Sequence, residues 1–255
     1  VFDGGWASDF GPQYYGAPEA SGHMKLPFLV NAKNVVYELD GGPRKVPGTT
    51  QLNGTVINSA TTGITGIYDY WRQGAAGTPT QKRVVYADNG NIYKDDANGT
   101  FTSIKSGLIG SAVPHFSSYN DLLIIANDNV ADVPMSWDQT TFQNLAGSPP
   151  RFSFSVNHKN RMWAAGNFAS PSRLYYSIGG NPESWTGGDS GSIDIDLGDG
   201  DMITGLASYK DDLWVFKGPN KLSIHRITGS APTGADAFAR KIFIRGISAA
   251  WQNAI

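Results

Sequence analysis

Four carboxylates stand close together in Asp194-Ile195-Asp196-Leu197-Gly198-Asp199-Gly200-Asp201. A hard cation such as calcium takes several oxygen ligands, and carboxylates spaced around a glycine turn can supply them. Asp194, Asp196, Asp199 and Asp201 are therefore the candidate metal ligands of this sequence, although the run lacks the spacing and terminal glutamate of an EF-hand loop. Strand alternation places Asp194 and Asp196 opposite Ile193, Ile195 and Leu197, which is also how a half-exposed strand enters a turn. The same residues fit a weak calcium site and a solvated strand end, and no cofactor is expected.

Just upstream, Gly188-Asp189-Ser190-Gly191-Ser192 is similar to the stretch around the nucleophile of chymotrypsin-type proteases. A serine nucleophile needs a histidine base and a carboxylate to orient it. None of His23, His115, His158 and His225 stands in a suggestive context, and glycine, aspartate and serine also compose ordinary surface turns. The acid pair of a glycosidase has no fixed spacing in sequence. A sialidase would need clustered arginines, whereas Arg72, Arg83, Arg151, Arg161, Arg173, Arg226, Arg240 and Arg245 are dispersed. Trp137, Trp163, Trp185 and Trp214 could stack on sugars, yet rings at corresponding repeat positions are core residues first. Neither a phosphate-cradling Gly-Lys-Ser/Thr loop nor a His-Glu-x-x-His helix is present, so the chain is expected not to be an enzyme.

The elements that carry these residues must be strands. Among 255 residues there are 31 glycines and 14 prolines, with 16% charged and 12% aromatic residues, as in a protein of many short strands and tight turns. No long helical periodicity appears. A formal charge of −2 leaves no basic stripe for nonspecific nucleic-acid binding, and the absence of cysteine removes disulfides and thiolate metal sites. No apolar run approaches the roughly 20 residues of a membrane-spanning helix.

Those strands repeat. Val84-Val85-Tyr86-Ala87-Asp88 leads through Ile92-Tyr93 to Phe101, and Tyr119-Asn120-Asp121-Leu122-Leu123-Ile124-Ile125 leads through Trp137 to Phe142. His158-Lys159-Asn160-Arg161-Met162-Trp163-Ala164 leads through Leu174-Tyr175-Tyr176 to Trp185, and a fourth unit opens at Tyr209-Lys210-Asp211-Asp212-Leu213-Trp214-Val215-Phe216. A period of roughly 40 to 50 residues is that of radially repeated four-stranded sheets, each burying its faces only against its neighbours. The fold is therefore expected to be an all-β propeller. Asn98-Gly99-Thr100-Phe101, Gln139-Thr140-Thr141-Phe142 and Pro182-Glu183-Ser184-Trp185 are read as equivalent polar turns, each leading to an aromatic anchor.

Residues 1–60 read as an extended Gly/Pro-rich arm followed by a β-hairpin, and 61–255 as the propeller. The hairpin runs through Asn34-Val35-Val36-Tyr37-Glu38-Leu39, turns at Asp40-Gly41-Gly42-Pro43 and continues into Arg44-Lys45-Val46-Pro47-Gly48. Strand alternation from Phe238 to Arg245 is followed by Gly246–Ile255, which reads as the first strand of a further blade, so that the propeller is expected to be incomplete within this sequence.

Two stretches resemble a known family. Asn34 through Thr49, a short hairpin ending in Arg-Lys-x-Pro-Gly, resembles the amino-terminal signature of tail proteins of tailed bacteriophages. His158 to Gly166, Ser172 to Ser177, Pro182 to Trp185, Gly200 to Leu206 and Asp212 to Lys217 follow an order similar to the propeller of phage tail nozzle (tail tubular) proteins. The resemblance implies a non-enzymatic virion component at the tail nozzle or the head-to-tail neck, assembled in the host cytoplasm as a ring of six copies. It further implies docking to a portal, adaptor or other tail proteins, and passage of viral DNA through the ring without sequence-specific binding. Arg44 and Lys45 are the residues assigned to partner contact. The alternative is a propeller that adsorbs to a host surface receptor or glycan.

Overall fold

A computed structural model describes residues 35–37, 43–45, 54, 56–59, 62–73, 77–129, 131–250 and 252, the first two stretches as backbone. The chain divides into two compact units, Val1–Leu52 and Asn53–Ile255. In the first, β1 (Val35–Tyr37) pairs antiparallel with β2 (Pro43–Lys45), Tyr37 opposite Pro43 and Val35 opposite Lys45. The predicted hairpin is present, with Pro43 as the first strand residue instead of part of the turn, a place where a missing N–H does little harm to the ladder.

The second unit contains four sheets of four strands each. Blade 1 is β3 (Ile64–Arg72), β4 (Thr80–Ala87), β5 (Ile92–Asp95) and β6 (Phe101–Lys105); blade 2 is β7 (Pro114–Tyr119), β8 (Leu122–Asn127), β9 (Met135–Trp137) and β10 (Phe142–Asn144). Blade 3 is β11 (Phe154–His158), β12 (Arg161–Ala165), β13 (Arg173–Tyr176) and β14 (Gly191–Asp194); blade 4 is β15 (Met202–Tyr209), β16 (Asp212–Gly218), β17 (Ser223–Thr228) and β18 (Ala239–Arg245). Within each sheet the strands follow chain order and every neighbouring pair is antiparallel. The first strands lie side by side, β3 against β7, β7 against β11 and β11 against β15, so they are the inner strands of successive propeller blades.

Tight two-residue turns open blades 2 and 3. Tyr119 pairs with Leu122 and His158 with Arg161, and the residues between them, Asn120-Asp121 and Lys159-Asn160, all adopt positive φ, the backbone of a type I′ hairpin. Strand alternation then divides each blade into a forward face, turned to the next blade, and a backward face. Between blades 1 and 2 the ring of Tyr68 stacks on Phe116 at 5.5 Å, and Tyr70, Tyr86, Leu123, Ile125 and Trp137 close the layer. Gly66 permits this approach, since a Cβ there would sit 2.4 Å from Cγ of Pro114. Ile124, Ala126, Met162 and Ala164 join blades 2 and 3; Trp163, Leu174, Leu206, Leu213 and Val215 join blades 3 and 4. Each aliphatic side chain buried in this way contributes about 1.5–3 kcal/mol.

Three sequence expectations need correction. Phe101 and Phe142 open the fourth strands of their blades, but Trp185 lies in the longer connection before β14. That length lets it reach back to Phe152 at 5.5 Å while its Nε1–H donates to the carbonyl of Pro182. Alternation around the acidic run ends at Asp194: Asp196 has φ of 45°, so Ile195 is buried and Leu197 is 74% exposed. Finally, the described residues after Gly246 form no strand. Instead, the side-chain amide of Gln252 accepts from the N–H of Leu206 at 2.6 Å and donates to its carbonyl at 2.9 Å. One amide thereby satisfies two backbone groups on the inner edge of β15.

Candidate functional site

The acidic turn between β14 and β15 gathers several ion pairs, with Arg173, Lys217, Arg240 and Arg245 around its aspartates. At its centre stands Lys217 of β16, which alternation points towards blade 3 and which is fully buried. Its Nζ lies within 3.2 Å of five oxygens: the carbonyls of Ile195 and Asp196, both carboxylate oxygens of Asp199, and Oγ of Ser172. A buried ammonium without such partners would cost several kcal/mol, so the turn serves as its cage. Carbonyls, a carboxylate and a hydroxyl form a donor set that a calcium ion would also accept, and here the chain's own cation fills it.

The four predicted ligands do not converge on one point. Asp194 is paired with Arg173 across β13 and β14, Nε to Oδ1 at 2.7 Å and Nη2 to Oδ2 at 2.9 Å, and this guanidinium holds its carboxyl below the usual carboxylate range. Asp196 is hydrogen-bonded by Arg240, which keeps its pKa low, and has Arg245 and His225 nearby at 3.8 and 3.7 Å. Asp199 faces Lys217. Burial alone would raise the pKa of Asp201, but it accepts the N–H groups of Asn220, Lys221 and Leu222 and stays low. Among the described residues no group of three or more His, Cys, Asp or Glu side chains is placed to hold a metal ion.

His225 completes this knot. Burial pushes its pKa down despite Asp196, its Nε2 lies 2.9 Å from Oγ of Ser223, and its buried Nδ1 has no partner among the described residues. In the protease-like stretch, Oγ of Ser190 donates to the carbonyl of Gly187 at 2.7 Å, and Asp189 pairs with Arg161. These two residues close their own turn and hold a strand start. Arg44 and Lys45 stand on β2, opposite Val36 and Val35.

A cavity of about 620 Å³ opens where the inner strands of blades 2, 3 and 4 begin. His115, Asp128, Phe154, Phe168, Met202 and Gln252 contribute to its wall. Burial holds His115 neutral, and its Nε2, 2.7 Å from the carbonyl of Ser155, carries the proton of that hydrogen bond. Asp128 accepts the N–H of Val113 at 2.7 Å. Both polar groups therefore hold backbone, and the remaining wall is largely apolar.

No family model matches the chain, and no curated protein matches it. Several solved structures are similar to it, these two among them. YCF48 bound to D1 peptide is 11% identical with a TM-score of 0.42, over 79% of this chain and 72% of that one. BBS1N in complex with ARL6DN, soaked with lead, is 12% identical with a TM-score of 0.37, over 76% and 70%. The propeller assignment rests on the chain's own four sheets.

Sequence reasoning passed over Lys217, because a lysine at the end of Asp212-Leu213-Trp214-Val215-Phe216 looks like an ordinary solvated strand end. Its cage comes from a loop about twenty residues earlier, and the only signal was the excess of acids there. Of the four tryptophans considered for sugar stacking, Trp137, Trp163 and Trp185 are buried, whereas Trp214 is half-buried on the forward face of blade 4.

Proposed function

We propose that the chain is a non-enzymatic structural component of a tailed-phage virion, part of the tail nozzle or neck ring through which DNA is ejected. The observation that carries this reading is the engagement of the most chemistry-like groups with one another. Lys217 with Asp199, Arg240 with Asp196, Arg173 with Asp194 and Arg161 with Asp189 each fasten strand ends and connections. Such pairs build a wall; they do not face a shared cleft. The resemblance of Asn34–Thr49 and of the later blades to tail proteins gives the particle context, with Arg44 and Lys45 on the hairpin as the contact to a portal, adaptor or tail partner. Mass spectrometry of purified virions tests the reading: the protein is expected in particles at a fixed copy number, and its absence from them would refute it.

A second reading, adsorption to a receptor or glycan, draws on Phe168, which is 53% exposed at the rim of the cavity. An aromatic face beside polar groups is how sugars are commonly gripped. Glycan-array binding that is lost in Phe168→Ala would favour it over the first.

A further inference from the structure

The cavity of about 620 Å³ where the inner strands of blades 2, 3 and 4 begin has the size of a small-molecule site. Its polar side chains are of two kinds. Oγ of Ser153 donates to the carbonyl of Gly166 at 2.8 Å, Oγ1 of Thr204 to that of Ala249 at 2.6 Å, and the amide of Gln252 is held by both backbone groups of Leu206. These three are spent on backbone. His115 and Asp128 each keep an unused atom. Nε2–H of His115 donates to the carbonyl of Ser155, so Nδ1 of the neutral ring is an acceptor, and it has no hydrogen bond among the described residues. Oδ1 of Asp128 accepts the N–H of Val113 at 2.7 Å, which leaves Oδ2 without a donor and the carboxylate without an ion pair among the described residues.

The ladder brings these two groups together. His115 pairs with Ala126 across β7 and β8, and the N–H of Asp128 donates to the carbonyl of Val113 at 3.3 Å, so Asp128 is the diagonal neighbour of His115. Diagonal neighbours stand about 7–8 Å apart, close enough for one donor-bearing group to meet both side chains. The wall around them is apolar. Phe154 lies edge-on to His115 at 6.4 Å, Met202 and Ile203 close the side of blade 4, and Phe168 is 53% exposed at the rim. Among the described lining residues there is no lysine or arginine, and Asp128 is the one carboxylate.

We propose that this cavity binds a small organic ammonium compound, its protonated amine between Asp128 and His115 and its apolar body against Phe154 and Phe168. The ligand class follows from the wall. Unused acceptors and an unpaired carboxylate call for a ligand that brings donors and positive charge, and aromatic faces attract a cation further. An anionic compound would meet Asp128 with like charge, and a neutral one would cover the carboxylate without pairing it. The site stands apart from the tail reading: its ligand binds or fails to bind whether or not the protein is found in virions.

Isothermal titration calorimetry of the full chain with three compounds that share one body, 3-phenylpropylammonium, 3-phenylpropan-1-ol and 3-phenylpropionate, tests the proposal. The ammonium is expected to bind with a Kd of about 1 mM or below, as a ligand of this size allows. It should bind about tenfold more tightly than the alcohol, the ordinary effect of a charge-assisted hydrogen bond, and the carboxylate should not bind. Asp128→Asn keeps the oxygen that accepts from Val113 and removes the charge, so it should weaken the ammonium by about the same factor and leave the alcohol unchanged. Val113→Trp, at an exposed position on the wall, fills the cavity and should abolish binding of both; circular dichroism checks that each variant is folded. No binding of the ammonium at about 10 mM, well above millimolar affinity, would overturn the proposal. So would equal affinity for ammonium and alcohol, or variants that bind the ammonium like wild type, which would put the compound elsewhere on the surface.

Discussion

Replacing Lys217 by methionine keeps the length of the side chain and removes its charge. The carboxylate of Asp199 and the carbonyls of Ile195 and Asp196 then lose their shared donor. Breaking a buried ion pair from one side costs about 3–5 kcal/mol. Asp199 keeps 15% side-chain exposure and can partly rehydrate, which puts the expected loss near the lower bound, about 3 kcal/mol. For a unit of this size each kcal/mol lowers Tm by roughly 2–4 °C, so the variant should melt roughly 6–12 °C below wild type. Thermal denaturation followed by circular dichroism, with urea titration for the free energy, measures this. Asp199→Asn alone should cost less, because the carbonyls still hold the ammonium. The double variant should be more stable than the sum of the single effects predicts, by roughly 1–3 kcal/mol of coupling. A Lys217→Met protein that melts within about 2 °C of wild type, or a strictly additive cycle, would refute the caged-ammonium account.

The remaining expectations are simpler. Burial lowers the pKa of His115, His158 and His225, so below about pH 6.5 the unfolded chain binds protons that the folded chain resists. Stability should be full above that pH and fall as pH drops through it, by up to about 1.4 kcal/mol per pH unit for each histidine; a Tm flat from pH 7 to 5 would contradict this. The paired aspartates Asp194 and Asp196 act in a lower window, their contribution being lost only as pH falls below about 4. Tyr119→Phe removes the hydroxyl that reaches Asn160 and should cost about 1 kcal/mol in urea denaturation. Because protein partners fill the acidic turn, millimolar calcium or EDTA should shift Tm by less than about 1 °C; a rise of several degrees with calcium would place a cation site there.

The propeller was legible because its signals are local. Tyr119-Asn120-Asp121-Leu122 and His158-Lys159-Asn160-Arg161 contain in four residues both the turn and the residue that fastens the next blade, and Val84 to Tyr93 shows two short apolar runs on either side of the polar turn Asp88-Asn89-Gly90-Asn91. Asp40-Gly41-Gly42-Pro43 marked the hairpin in the same way. What was hidden depended on distant partners. Lys217 is buried by a loop from another part of the chain, Trp185 is drawn towards Phe152 by the length of its connection, and the positive φ of Asp196 breaks an alternation that the letters alone continue. Nor does any single residue type separate the half-buried Trp214 from the buried Trp163; only the presence of a following blade does.

Because each sheet is assembled from strands consecutive in the chain, nearly all pairing is between near neighbours in sequence. Such a topology has low contact order for a β protein, and the ordering entropy is repaid hairpin by hairpin. A nascent chain can complete one blade before the next has been synthesised, and each finished forward face is then a ready template for the strands that follow. The order of the strands therefore permits assembly blade by blade, each sheet closing from its own consecutive strands.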